Sequence, residues 1–270
     1  MVNVLIIFAH QSPTSFNAAA LDAAVTTLQG QNCSVVVSDL YAMKFKAPTT
    51  IEDINGPLNN PSTFQYAKES LLAWQEGRLS TDITEEQQKV KEADLIIFQF
   101  PLYWFSMPAI LKGWVDRVLT QGFAYTPEKM YNEGIFKDKK AMLSFTTSSY
   151  ESMCCADGIN GDINVTLWPM QNGILHYCGF QVLAPQIFWA VEHVPEAARQ
   201  GMLEEWRKRL EGLLEEKPLT FAPFLNFDMR TGFKLKKEVQ ESLATSEFGL
   251  TVGHHVGKRL PPDNQIKAGV

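Results

Sequence analysis

Three short stretches carry residue types able to do chemistry, and each follows an apolar run of strand length. His10-Gln-Ser-Pro-Thr-Ser-Phe-Asn17 follows the first run and leads into a helical pattern. Ser12, Thr14 and Ser15 at a helix N-terminus offer hydroxyls, open backbone N–H groups and a favourable dipole to a phosphate. Ser15 could equally do no more than cap the helix. Pro101-Leu-Tyr-Trp-Phe-Ser-Met-Pro108 places three consecutive aromatics in a loop, where neither strand nor helix periodicity accounts for them. A planar ring against Trp104 and Phe105, with loop amides at its edge, would account for them. So would packing over a sheet end or at a dimer interface. Thr146-Thr-Ser-Ser-Tyr150 gives five hydroxyl residues in a row, suited to a polar ligand edge or to a plain surface loop.

Other candidates point to less. The adjacent Cys154 and Cys155 have no basic neighbour in sequence to lower a thiol pKa, and they read as two ordinary thiols. His254–His255 has no acidic or cysteine partner at ligand spacing, so no metal is expected there. The cluster Lys234, Lys236 and Lys237 reads as a solvated face or as a contact for phosphate or carboxylate. Neither a GxGxxG nor a GxxxxGK[ST] loop occurs, nor a G-x-S-x-G elbow or a carboxylate pair of hydrolase type.

The elements that must position the three stretches read as alternating strands and helices. Asn3–Ala9, Ser34–Leu40, Asp94–Phe100, Ala141–Thr146 and Gln181–Ile187 are short and nearly continuously apolar, as strands of a parallel sheet covered on both faces are. Helical patterns lie over Phe16–Leu28, Thr84–Ala93, Pro108–Leu119, Trp168–Cys178 and Pro195–Leu214. Thr84 and Gln87 suggest a capping box, and Pro108 and Pro195 suggest helix starts. This alternation predicts an α/β fold with a doubly wound five-stranded parallel sheet. Such sheets bind ligands beyond the carboxyl ends of their strands, which is where the three stretches fall.

The 270 residues carry a net charge of −6, which disfavours nucleic acid as a partner. No apolar run approaches the length of a membrane span, and the start MVNVLIIFAH lacks a positive n-region. The four cysteines match no zinc spacing. A cytosolic protein with no membrane partner is expected. Composition shifts near Pro218 and Pro223: residues 226–270 carry +2 and residues 1–225 carry −8. The division expected is a catalytic domain over 1–220 and a C-terminal extension over 221–270.

Longer runs resemble a known family. SDLYAM (Ser38–Met43), ADLIIFQFPLYWFSMPAILKGW (Ala93–Trp114), LHYCGFQVLAPQ (Leu175–Gln186) and GLTVGHHVGK (Gly249–Lys258) closely resemble the vertebrate NAD(P)H:quinone oxidoreductases, DT-diaphorase and its dihydronicotinamide-riboside-dependent sister. The resemblance implies a flavodoxin-like fold and a homodimer holding one FAD per subunit, with active sites at the interface. It also implies ping-pong, two-electron reduction of planar quinones. His10, Ser15, Phe16, Asn17 and Gln65 would hold the diphosphate, ribose and adenine side of FAD, with Glu196 and Arg199 adding contacts. Leu102, Tyr103, Trp104 and Phe105 would line the isoalloxazine, with Thr146, Thr147, Ser148 and Ser149 along its far edge. Ala124, Tyr125, Thr126 and Tyr177 would face the substrate, Tyr125 reaching across from the partner subunit.

The chain departs from the family at several of these places. Cys154 and Asn160 stand where DT-diaphorase has a catalytic Tyr and His. Ser148–Ser149 replaces a glycine pair, and Pro127 replaces a second substrate-side Tyr. A thiol is a weak donor, so a slower reductive half-reaction is expected. Serine at the glycine pair would strain the loop if positive φ were needed there. Asn172 and Phe221 replace two ligands of the family's metal site, leaving His176, so no metal is expected. The 221–270 extension resembles the NAD(P)H-using branch and favours NADH or NADPH as donor, while Asn160 matches the riboside branch. Two other readings remain: a flavin-loaded binding protein with weak turnover, and an FMN electron carrier.

Overall fold

The computed structural model describes residues 1–155 and 157–243. Strands β1 (Asn3–Phe8), β2 (Ser34–Asp39), β3 (Leu95–Pro101) and β4 (Lys140–Thr146) pair in parallel in the order β2-β1-β3-β4. Two short segments, β5 (Gln181–Val182) and β6 (Gln186–Phe188), both pair in parallel with β4. The expected strand Gln181–Ile187 is therefore broken, because Pro185 has no N–H to donate to the ladder.

Strand residues alternate between two cores. Val4, Ile6, Leu95 and Ile97 face α1 (Phe16–Gly30) and α6 (Glu196–Gly212), against Ala20, Leu28, Leu203 and Trp206. Leu5, Ile7, Ile96 and Phe98 face the other way, towards α4 (Ala109–Val118) and α5 (Ile163–Met170), against Leu111, Trp114 and Leu167. Burial on both faces explains why β3 reads as a continuous apolar run, with every residue from Leu95 to Pro101 buried.

Helix boundaries depart from expectation in three places. α3 (Thr81–Glu92) starts at Thr81, not Thr84. Thr84 instead donates its hydroxyl to the Thr81 carbonyl at 3.0 Å. Gln87 is buried and donates to the Val118 carbonyl and Thr120 Oγ1 at 3.0 and 3.1 Å, so the expected capping box does not form. The Trp168–Cys178 pattern belongs to a longer feature: Asp162 caps α5 at Asn164, and after Pro169 the chain widens into a π-helical turn over Gln171–His176. A further helix, α2 (Tyr66–Gln75), was not expected from periodicity.

A buried ion network ties the segment before α2 to α4. Arg117 is 1% exposed and holds Asp53 through Nε and Nη2 at 3.1 and 2.9 Å. Lys46 and the Tyr66 hydroxyl also bond Asp53, Asp82 meets Arg117 Nη1 at 2.7 Å, and the guanidinium lies over the Phe45 ring. Burial opposes ionisation of Asp53, but Arg117 and Lys46 outweigh it and hold the carboxyl below its ordinary range.

The C-terminal segment leaves the sheet and returns onto the body. Leu219 N–H donates to the Val182 carbonyl at 2.7 Å, and Phe221 stacks on His176 with centroids 4.4 Å apart. A small antiparallel hairpin, β7 (Phe227–Asp228) and β8 (Lys234–Leu235), follows, then α7 (Lys237–Leu243). The sequence features at Gly249–Lys258 and His254–His255 lie outside the described residues.

Candidate active site

The loops after β1, β3 and β4 converge at the carboxyl edge of the sheet, where α1 and α6 open a groove of about 580 Å³. His10, Ser15, Phe16, Asn17, Tyr103, Thr146, Glu196 and Arg199 all line it, so eight of the expected cofactor residues meet in one place.

At the phosphate-competent end, Ser15 caps α1: its Oγ accepts from Ala18 N–H at 3.1 Å and donates to the Ser12 carbonyl at 2.9 Å. The capping reading and the phosphate reading are compatible, since the cap leaves other donors open. Among the described residues no acceptor takes the N–H of Phe16 or of Asn17. His10 Nδ1 accepts from Ser12 N–H at 3.0 Å, which places the proton of the neutral ring on Nε2. Across the groove, Arg199 Nη1 is pinned to the Val194 carbonyl at 2.7 Å, while Nε and Nη2 meet no acceptor among the described residues. A helix N-terminus with two open donors facing a half-engaged guanidinium is an anion site by its donor set.

The floor is rigid. Ser144 donates to Gln99 at 2.7 Å, Gln99 to Asn17 at 2.9 Å, and Asn17 to Thr146 Oγ1 at 2.8 Å, all buried. This chain joins β4, β3 and the start of α1. It also commits the Asn17 side chain to structure, leaving its backbone N–H as the group it offers a ligand.

At the other end is the aromatic loop. Tyr103 and Ser106 exchange both backbone hydrogen bonds at 3.0 Å, and the turn between them puts Trp104 at φ +51° and Phe105 at φ +57°. Two bulky residues in left-handed backbone are strained. Trp104 nevertheless sits 95% exposed, with nothing packed over it. Leu102 N–H donates to the Thr146 carbonyl at 2.8 Å, which ties the aromatic loop to the hydroxyl run.

On that run, Thr147 N–H bonds the Phe188 carbonyl at 3.0 Å and Thr147 Oγ1 accepts from Ser149 N–H at 3.1 Å. Neither Ser148 nor Ser149 has positive φ, so the strain feared for serine at this pair does not arise. Asn160 Nδ2 donates to Ser149 Oγ at 3.1 Å and approaches Cys154 Sγ at 3.7 Å. Cys154 is 5% exposed. Cys155 is the accessible thiol, and its hydrogen bond to the Asp157 carboxylate, with a smaller contribution from burial, raises its pKa.

Some expected residues lie elsewhere. Gln65 is exposed at the N-terminal flank of α2 and outside the groove lining. Tyr125 packs on Tyr177 with centroids 5.2 Å apart, beside Asp116 and Ile174, and Ala124 is buried while Thr126 bonds Glu128. At the place of the family's metal site, His176 Nδ1 meets Asn172 Oδ1 at 3.1 Å, and burial pushes its pKa down to about 4. Sequence reading missed Val191, Glu192, Gln200 and Leu203 in the groove wall. Leu203 carried a usable signal, since it stands one helical turn beyond Arg199 on α6.

A family model described as a flavodoxin-like fold matches residues 2–210. NAD(P)H dehydrogenase (quinone) 1 of Cavia porcellus is 55% identical over 266 residues, covering 98% of this chain and 97% of the relative. The chain belongs to the NAD(P)H:quinone oxidoreductase family. The human ribosyldihydronicotinamide dehydrogenase (quinone) is 51% identical over 224 residues, covering 83% of this chain and 97% of the relative. A solved structure from Klebsiella pneumoniae is 36% identical with a TM-score of 0.86, covering 94% of this chain and all of that one. The family's flavodoxin-like strand order is that of the sheet described above, with β2 outside β1 and β3–β5 following on the other side.

Proposed function

We propose that this chain is an FAD-dependent NAD(P)H dehydrogenase (quinone). One observation carries this reading: the helix start with its open donors, Arg199 and Tyr103, the residue that enters the strained aromatic turn, line one groove at the carboxyl edge of a sheet belonging to this family. The donor set fits a flavin dinucleotide. The Phe16 and Asn17 N–H groups and Arg199 would hold the diphosphate, and Tyr103–Phe105 would lie along the ring. Bound there, the flavin supplies hydride transfer from a reduced nicotinamide to a quinone.

The chain's own part is positioning. The buried Ser144–Gln99–Asn17–Thr146 relay fixes the floor, and the Tyr103–Ser106 ladder holds the aromatic turn in place against its strain. Asn160 and Ser149 offer polar groups at the far edge of the ring, where negative charge builds on reduction. Tyr125 and Gln65 lie away from the groove of their own chain, which supports a homodimer in which a second copy completes the site. Cytosolic residence is proposed with it. The donor is NADH or NADPH, because the guinea-pig relative aligns through the extension while the human riboside-dependent one aligns over 224 residues. A second reading, a flavin-loaded binding protein with weak turnover, draws on Cys154, whose buried thiol replaces a strong donor.

The test is anaerobic. The flavin-loaded protein is mixed with NADPH, NADH or dihydronicotinamide riboside, and the oxidised flavin band is followed. Bleaching by NAD(P)H with recovery on quinone addition is expected. Bleaching by the riboside alone would move the chain to the other branch. Bound flavin with no bleaching by any donor would favour the binding-protein reading.

A further inference from the structure

Away from the groove, the returning C-terminal segment closes over the body around a cavity of about 240 Å³ that shares no lining residue with the groove. Tyr131, Trp168, Phe224, Phe227 and Phe233 form its aromatic walls, and Asn172 is its amide. No side chain in the lining is charged at neutral pH. Tyr131 and Phe224 lie nearly parallel, 23° apart with centroids at 6.1 Å, and Phe233 follows at 5.8 Å. Tyr131 is held at φ +55°, a left-handed conformation that a tyrosine adopts only under constraint.

The polar groups of the wall are biased towards donors. A carboxamide oxygen can only accept, so the 3.1 Å contact makes His176 Nδ1 the donor to Asn172 Oδ1. The Asn172 amide is thereby oriented, with Nδ2 left over. Among the described residues no acceptor takes Asn172 Nδ2 or Trp168 Nε1, and neither is a fully buried orphan. Asn172 and Trp168 both line this aromatic chamber, and a flat ligand with an acceptor oxygen suits their N–H donors. Apolar cavities of about 150 Å³ hold benzene, so this one has room for one ring or two fused rings.

We propose that this cavity is a binding site for a neutral, planar aromatic carbonyl compound, its ring clasped by Tyr131, Phe224, Phe227 and Phe233 and its oxygen hydrogen-bonded by Asn172 or Trp168. The site does not depend on the reductase reading, and its test uses neither a nicotinamide donor nor a quinone.

The probe is 4′-fluoroacetophenone, followed by ¹⁹F NMR on the full-length, flavin-loaded protein. Saturable broadening of the fluorine line is expected. Ala222 also lines the cavity, and Ala222→Phe fills it, which should weaken binding at least tenfold. Trp168→Phe keeps a ring but removes an N–H, and should weaken binding roughly two- to tenfold if the indole is the donor used; Asn172→Leu is the matching variant for the amide. The Trp168→Phe and Asn172→Leu pair also serves if Ala222→Phe does not fold. Absence of saturable binding overturns the proposal. So does binding that a folded Ala222→Phe protein retains in full, or, where that variant is lost, binding that neither donor variant weakens.

Discussion

Trp104, next to the groove-lining Tyr103, combines strain with exposure at the scale of one residue. A left-handed tryptophan with no packing partner costs the apo fold and returns nothing to it, so its place follows from what it meets when the groove is filled. Trp104→Gly should raise the stability of the apoprotein by about 1 kcal/mol, measured by urea unfolding. It should also weaken flavin binding roughly tenfold, measured by flavin fluorescence titration. An unchanged flavin affinity would remove Trp104 from the ring site. Cys154 makes the second residue-scale prediction. If the missing donor limits hydride uptake, Cys154→Tyr should speed flavin reduction roughly ten- to a hundredfold in stopped flow, the worth of about 1.5–3 kcal/mol for a hydrogen bond to developing charge. Because Cys154 is buried, the larger ring should also cost about 1–3 kcal/mol of stability. A folded Cys154→Tyr protein that is no faster would show that the donor is not what limits the rate.

Between elements, polar networks do what apolar packing alone would leave loose. The Ser144–Gln99–Asn17–Thr146 relay locks α1 to β3 and β4 under the groove. The Asp53–Arg117 network locks the long connection between β2 and α3 onto α4. Removing one partner from such a pair leaves the other buried and uncompensated. Asp53→Asn should therefore destabilise the fold by about 3 kcal/mol at pH 7. The pH dependence has a definite sign. A carboxyl held below its unfolded value contributes stability that is full above about pH 4 and is lost as pH falls through the lower folded value. The wild-type protein should thus lose more stability than Asp53→Asn when taken from pH 5 to below pH 4, as urea midpoints at each pH would report. Equal losses would mean that Asp53 carries no net ion-pair stabilisation.

Across the whole molecule, the C-terminal segment couples to the body through His176. Its ring lies under Phe221 and titrates near pH 4 because burial disfavours the cation. The unfolded chain binds this proton near pH 6.5, so stability falls as pH drops from about 6.5 towards about 4, by about 1.4 kcal/mol per unit from this group. His176→Gln should flatten the stability profile in that window, measured by denaturation at pH 7 and pH 5. The same slope in both proteins would show that His176 does not stay neutral in the fold. Deleting residues 221–270 should leave flavin bound while lowering turnover with NAD(P)H more than with the riboside donor. A truncated protein with both donors equally affected would separate the extension from donor choice.

Much of this was legible in the residue order. Parallel strands buried on both faces must be apolar throughout, so the five-strand sheet declared itself, and ligand sites at strand carboxyl ends follow from that topology. That topology alone brings His10 to Asn17, the aromatic loop and the hydroxyl run to one edge of the sheet. α2 escaped because its anchors, Tyr66 on Asp53 and Glu69 on the Asn59 and Asn60 N–H groups, are polar and non-local. The capping box at Thr84 misled because Gln87 had a buried partner 31 residues away. Backbone sign at Ser148–Ser149, the commitment of the Asn17 amide and the aromatic cavity under the returning segment depend on contacts between distant parts of the chain. Local sequence encodes propensity and periodicity, while the partner of a buried polar group is chosen only when the elements pack.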